Sequence, residues 1–175
     1  TFMSSDDSGI DDLVRDFRNI WHPCTQMKEQ KTAPPLLIEK GDGVYLIDSN
    51  GKRYIDVISS WWVNLFGHNH PRLNKALKEQ LDHMAHVMFA GITHLPAINL
   101  AESLVELTPP NLTKVFFSDN GSTSIEIALK MSLQFWQQTG KIERTRFIYL
   151  SGGYHGETLG ALSACGISLF REKFE

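Results

Sequence analysis

Phe116 Phe117 Ser118 Asp119 Asn120 Gly121 Ser122 Thr123 Ser124 Ile125 Glu126 Ile127 Ala128 Leu129 Lys130 is the stretch where an apolar strand pattern breaks at a glycine and becomes a helix pattern. A helix N-terminus presents backbone N–H groups without intrahelical acceptors, together with the positive end of the helix dipole. Gly121 lets the backbone approach a ligand, while Ser122, Thr123 and Ser124 add hydroxyls, a combination suited to a phosphate. Asn, Ser and Thr are equally favoured as helix caps with no ligand present, so capping accounts for the same residues. Asp119 counts against an anion, because a carboxylate beside a dianion is repulsive unless it points away.

Working outward, Val115 to Ser118 reads as a strand, the helix runs to Gln138 and closes at Gly140, and Phe147 to Leu150 reads as a second strand. This is a βαβ unit with its glycine turn at the strand's carboxyl end, where open α/β sheets bind ligands. Ser151 Gly152 Gly153 Tyr154 His155 Gly156 then forms a second loop at the same edge. A planar phosphorylated cofactor needs an anion cradle and a flat side chain against its ring, and Tyr154 can supply that face. The plain alternative is an aromatic packed over a sheet edge.

Upstream, Ile10, Leu13, Val14, Phe17 and Ile20 recur at helical spacing after Asp6, Asp7 and Ser8. Leu36 to Glu39, Val44 to Asp48 and Tyr54 to Ile58 are short β-type runs separated by Gly41 Asp42 Gly43 and by Asn50 Gly51, which predicts a β-meander. Pro71 suits a first helical turn, followed by Leu73, Ala76, Leu77, Gln80, Leu81 and Met84. Another helix starts near Pro96, carries Leu100, Ala101, Leu104 and Val105, and is stopped by Pro109 Pro110. Between meander and helices, Ser59 Ser60 Trp61 Trp62 precedes Gly67 His68 Asn69 His70 Pro71. Indoles at such a junction can wall an apolar substrate pocket, although core packing is the commoner role.

Over 175 residues, 42% hydrophobic and 21% charged composition is ordinary globular material. A net charge of -3 and the lack of a Lys/Arg cluster give no electrostatic case for nucleic acid or an anionic membrane, and no apolar run reaches spanning length. Cys24 and Cys165 form neither a disulfide framework nor a zinc ribbon, which fits a reducing, cytoplasmic setting. His68 and His70 alternate as two strand ligands would, but no further His or Cys pair completes a set, so no metal is expected. His22, His83, His86 and His94 read as surface or hydrogen-bonded groups. The turn has a single glycine and the following strand does not end in an acidic residue, which disfavours a dinucleotide site. Thr1 and Phe2 before Met3, and an end at Phe174 Glu175 without a turn or polar tail, lead us to expect a piece of a longer protein. Strands able to pair with Phe116 and Ile148 are then expected outside it, leaving sheet edges open.

Taken together, Trp21 His22 Pro23, Ser59 Ser60 Trp61 Trp62, Gly67 His68 Asn69 His70 Pro71, His86 Val87 Met88 Phe89, Gly91 Ile92 Thr93 His94, Ser118 Asp119 Asn120 Gly121 Ser122 and Gly153 Tyr154 His155 Gly156 give a chain that resembles the class III, pyridoxal-phosphate-dependent aminotransferases. The likeness runs from about Ile20 to Glu175. It implies an α/β fold of the fold-type I transferases: residues 1–66 as an N-terminal helix and small meander belonging to a small domain, and 67–175 as the first part of a large cofactor-binding domain with a mainly parallel sheet. It also implies a homodimer with sites at the interface. Gly121 and Ser122 would hold the cofactor phosphate, Tyr154 would stack on the pyridine ring and border the substrate, His155 belongs to the same cofactor loop, and Trp61 would line the substrate pocket.

Trp21 His22 Pro23 and Trp61 Trp62 match a branch whose amine donor is S-adenosylmethionine and whose acceptor is 8-amino-7-oxononanoate. Where that branch has a tyrosine after Trp, His, Pro, this chain has Cys24, which lacks the phenol implied to help recognise substrate. This leaves other class III activities open, such as an ω-amino acid aminotransferase. The Schiff-base lysine implied by the resemblance lies beyond the equivalent of Glu175, and the context of Lys173 does not match it, so no catalytic residue is assigned here. A non-catalytic binding or assembly piece is the reading of a different class.

Overall fold

The computed structural model describes residues 5–172; residues 1–4 and 173–175, together with the side chains of residues 5–10, among them Asp6, Asp7, Ser8 and Ile10 of the expected first helix, lie outside the described residues. The chain divides into two compact units, Thr1–Met88 and Phe89–Glu175.

In the first unit, helix α1 (Ser5–Asn19) sets Leu13, Val14 and Phe17 around a cavity of about 430 Å³. Its other wall is the 3-10 turn Met27–Lys31, through Gln30 and Lys31, followed by Pro34 and Pro35. Strands β1 (Ile38–Asp42), β2 (Tyr45–Asp48) and β3 (Arg53–Ile55) form the expected antiparallel meander in the order β1-β2-β3. The first turn is tighter than the sequence reading placed it. Asp42 pairs with Tyr45, so Gly41 and Asp42 belong to the strand and only Gly43 and Val44 make the turn, Gly43 with φ +57°. Asp48 organises the second turn: Oδ1 accepts from the N–H groups of Asn50 and Lys52 at 3.0 and 2.9 Å, and Oδ2 from the Tyr54 hydroxyl at 2.9 Å. Burial pushes the Asp48 carboxyl up, but the Lys52 N–H, the Tyr54 hydroxyl and the Asn50 N–H outweigh it and hold the group below its ordinary range.

Strand β3 stops at Ile55, short of the expected Ile58, because the chain turns at Asp56, whose C=O accepts from Ser59 N–H at 3.2 Å. A single helical turn, α2 (Ser59–Trp62), follows, and then the chain returns to the meander. There His68 exchanges two backbone hydrogen bonds with Gly43, at 3.1 and 2.7 Å. Gly67 permits that approach, for its φ is +79° and an added Cβ would lie 2.8 Å from the Gly43 carbonyl oxygen. Helix α3 (Pro71–His83) starts on Pro71 as expected.

In the second unit, helix α4 (Leu95–Leu107) is capped by His94, whose Nδ1 accepts from Ala97 N–H at 3.4 Å. Helix α5 (Gly121–Gln138) follows, and Gly140 after it takes φ +78°. Two short helices, α6 (Leu159–Ser163) and α7 (Ser168–Arg171), end the described part and were not anticipated from the sequence. The best-buried apolar residues, Ala161, Leu162, Ala164 and Cys165, cluster at α6.

The expected strands Val115 to Ser118 and Phe147 to Leu150 are corrected by the structure: neither enters a β-ladder among the described residues. A strand is defined by its neighbours' backbone hydrogen bonds, and here none lies alongside. Phe116, Ile148 and Leu150 are exposed, although their apolar runs suit a strand covered on both faces.

Gly67→Ala should cost about 1–3 kcal/mol through strain at positive φ, with crowding against Gly43 added. Gly51→Ala, also at positive φ but facing open space, should cost less. Denaturant unfolding of the full-length protein with both variants checks the order.

Candidate functional site

The turn at Asn120 and the loop at Gly156 lie together in the second unit, and the geometry shows what each hydroxyl does. Asn120 and Thr123 form a reciprocal cap: the Asn120 side chain accepts from Thr123 N–H at 3.0 Å, and Thr123 Oγ1 accepts from Asn120 N–H at 3.1 Å. Ser124 donates to the Asn120 carbonyl at 2.9 Å and shares a 2.6 Å hydrogen bond with Ser118. Two of the three hydroxyls thus serve the cap. Ser122 turns to the other loop, donating to Thr158 Oγ1 at 2.9 Å and accepting from Thr158 N–H at 3.0 Å. Gly156 touches it closely, since a Cβ there would sit 2.4 Å from Ser122 Oγ.

What remains for an anion is backbone. The N–H groups of Gly121 and Ser122 belong to the first turn of α5, which has no intrahelical acceptors, and a Cβ added at Gly121 meets nothing within 4 Å. The donor set, two N–H groups on a helix dipole beside an open approach, fits a phosphate.

One turn along α5, Glu126 was missed by the sequence reading. Its Oε1 accepts from Gly160 N–H at 2.6 Å and Ala161 N–H at 3.3 Å, capping α6 from outside. The Thr158 hydroxyl first, then the Gly160 and Ala161 N–H groups and the Lys130 charge, hold its carboxyl below the ordinary range against the opposing effect of burial. The available signal was spacing: Ser122 and Glu126 are four apart on one helix face.

The Tyr154 side chain is half exposed, its hydroxyl donates to Glu157 Oε1 at 3.2 Å, and its ring meets Phe170 edge-on with centroids 5.7 Å apart. Its neighbour His155 instead lines an apolar cavity of about 390 Å³ with Ile125, Leu129, Phe147 and Leu150. The two ring-bearing residues of this loop therefore sit in different surroundings.

Trp61 and Cys24 belong to the first unit. Cys24 is exposed and holds φ +51°. Before it, His22 is hydrogen-bonded to Asp16 at 2.8 Å. Ser59, Ser60, Trp61 and Trp62 all take positive φ, and Trp62 and Val63 donate to the carbonyls four residues back, so α2 is a turn of left-handed helix. Such a conformation costs L-residues roughly 1–2 kcal/mol each. Asp56 anchors it: Oδ2 accepts from the Ser60 hydroxyl at 2.7 Å and from His68 Nε2 at 2.9 Å. The Ser60 N–H, then its hydroxyl and His68, overcome the effect of burial and draw the Asp56 carboxyl from 3.8 to about 2. Among the described residues no group of three or more His, Cys, Asp or Glu could hold a metal ion, and no helix is long and apolar enough to cross a membrane.

Residues 26–175 match the class-III aminotransferase family. The chain belongs to that family, whose members are pyridoxal-phosphate-dependent transaminases of fold type I. It is 49% identical over 159 residues to the adenosylmethionine-8-amino-7-oxononanoate aminotransferase of Geobacter sulfurreducens, covering 91% of this chain and 35% of that protein. The crystal structure of the enzyme of the same name from Methanocaldococcus jannaschii superposes with a TM-score of 0.88 at 44% identity, over 97% of this chain and 38% of that one. An omega transaminase from Pseudomonas jessenii, solved in complex with PMP, gives 0.85 at 32% identity, over 93% of this chain and 36% of that one. The chain thus spans about a third of the length of the curated relatives it matches.

Two outcomes are expected. Ser122→Ala should cost about 1 kcal/mol by removing both bonds to Thr158, read by thermal unfolding of the full-length protein. Because the native Asp56 pKa is depressed, its stabilisation is complete above about pH 4 and fades as pH falls toward 2. The stability gap between wild type and Asp56→Asn should narrow over that window in acid titrations followed by circular dichroism.

Proposed function

We propose that the full-length protein is a pyridoxal-phosphate-dependent aminotransferase that moves the amino group of S-adenosylmethionine to 8-amino-7-oxononanoate, giving 7,8-diaminononanoate, a step of biotin synthesis. The observation that carries the reading is the bonded pair of loops, Ser122 to Thr158, standing in a chain 44–50% identical to relatives of that name.

Bound cofactor supplies an aldehyde that accepts the amino group and a ring that acidifies the adjacent C–H bond. The protein's part is placement. Gly121 and Ser122 N–H groups hold the phosphate, and Ser122, with its hydroxyl bound to Thr158, keeps the Tyr154–Gly156 loop beside it. Tyr154 offers its ring to the pyridine and a border to the substrate, with His155 supporting the loop from its apolar side. Trp61 and Cys24 belong to the substrate pocket. The reading extends to a cytoplasmic homodimer in which residues 67–175 begin the large domain and 1–66 belong to the small one.

A second reading is favoured by Cys24 and by the likeness to omega transaminases: the donor is an ω-amino acid or another amine. Full-length protein with pyridoxal phosphate should show a cofactor absorbance band that shifts on adding S-adenosylmethionine. A shift only with other amines, in wild type and Cys24→Tyr alike, would establish the second reading. A flat spectrum with every donor would reject both.

A further inference from the structure

Four consecutive non-glycine residues at positive φ do not persist unless their surroundings over-determine them. Ser59, Ser60, Trp61 and Trp62 lie at +48°, +47°, +67° and +68°. What holds them is polar and enclosed: the Asp56 side chain is 5% exposed and collects the Ser60 hydroxyl and His68 Nε2 on one oxygen. His68 is itself fixed, by its backbone exchange with Gly43 and by packing so close to Gly41 that a Cβ there would lie 2.6 Å from its own Cβ. The indoles of the turn remain open, Trp61 57% and Trp62 77% exposed. The strain of the turn is therefore met by the Asp56 carboxylate rather than by packing of the indoles.

We propose that Asp56 is a positioning residue for substrate recognition: through Ser60 and His68 it locks Ser59–Trp62 in the left-handed turn that presents the two indoles to the amine substrate. This rests on the aminotransferase reading for its substrate half, while the lock itself stands on geometry alone. Asp56 touches no reacting atom, so its loss should act on binding before turnover.

The test takes the full-length holoprotein as wild type, Asp56→Ala, Asp56→Asn and Ser60→Ala. Both alanine variants should raise KM for the amine donor by about tenfold, with kcat falling less than KM rises. Asp56→Asn, which keeps one acceptor for Ser60, should lie between. With cofactor removed, near-UV circular dichroism from tryptophan should change in both alanine variants, and Ser60→Ala should keep the wild-type melting temperature. Wild-type KM with an unchanged tryptophan signal in both variants would overturn the lock, as would losses of kcat that merely follow falling stability. A wild type inactive with every donor would sink the aminotransferase reading and the substrate half with it, while the tryptophan signal still decides whether Asp56 positions the indoles.

Discussion

Two side chains one turn apart on α5 fasten α6 to it. Ser122 grips Thr158, and Glu126 accepts from Gly160 and Ala161, so a single helix face satisfies the donors at the start of α6. A five-residue helix cannot sustain itself, since nucleation costs more than so few hydrogen bonds return. Docked by these carboxylate and hydroxyl contacts, it buries Ala161, Leu162, Ala164 and Cys165. Gly160 takes part by what it lacks, for an added Cβ would fall 2.3 Å from Glu126 Oε2. The same contacts set the spacing between the glycine turn and the Tyr154 loop.

The first unit uses enclosed carboxylates in the same way. Asp48 shapes the turn between β2 and β3, and Asp56 anchors the left-handed turn that follows. Each gathers N–H and O–H donors, and that is why each is held below the ordinary carboxyl range although burial opposes it. Short polar residues at turns compete well for backbone partners, which lets a small meander fix long-range features such as the bridge between Gly43 and His68.

Apolar surface is the other side of the account. Leu73, Leu77 and Leu81 on α3, Met131 and Phe135 on α5, and the runs at Phe116 and Ile148 are all exposed. Stripes at helical spacing and apolar runs of this kind are suited to burial against other elements.

The long helices α1, α3, α4 and α5, the meander and the glycine turn were legible because each is written in local periodicity and punctuation: Leu73 to Leu81 at helical spacing, Pro71 at a first turn, Asn50 Gly51 between strands, Gly140 after α5. The nearness of the two loops was expected from a shared sheet edge, but in the structure it comes from Ser122 meeting Thr158 and Gly156. What the sequence could not decide was how hydroxyls and carboxylates are shared across long separations. Ser122, Thr123 and Ser124 are alike in sequence, yet only Ser122 reaches Thr158, thirty-six residues on. The four-residue spacing puts Glu126 on the face of Ser122, but nothing local says that it caps α6, or that Asp56 and His68 hold a left-handed turn in a segment whose residues favour right-handed or extended backbone. Local patterns determine elements because they act through neighbours on one chain segment; which donor meets which acceptor depends on distances that only the tertiary fold sets, and there the strain at Ser59–Trp62 and the single free face of the α5 N-terminus were decided.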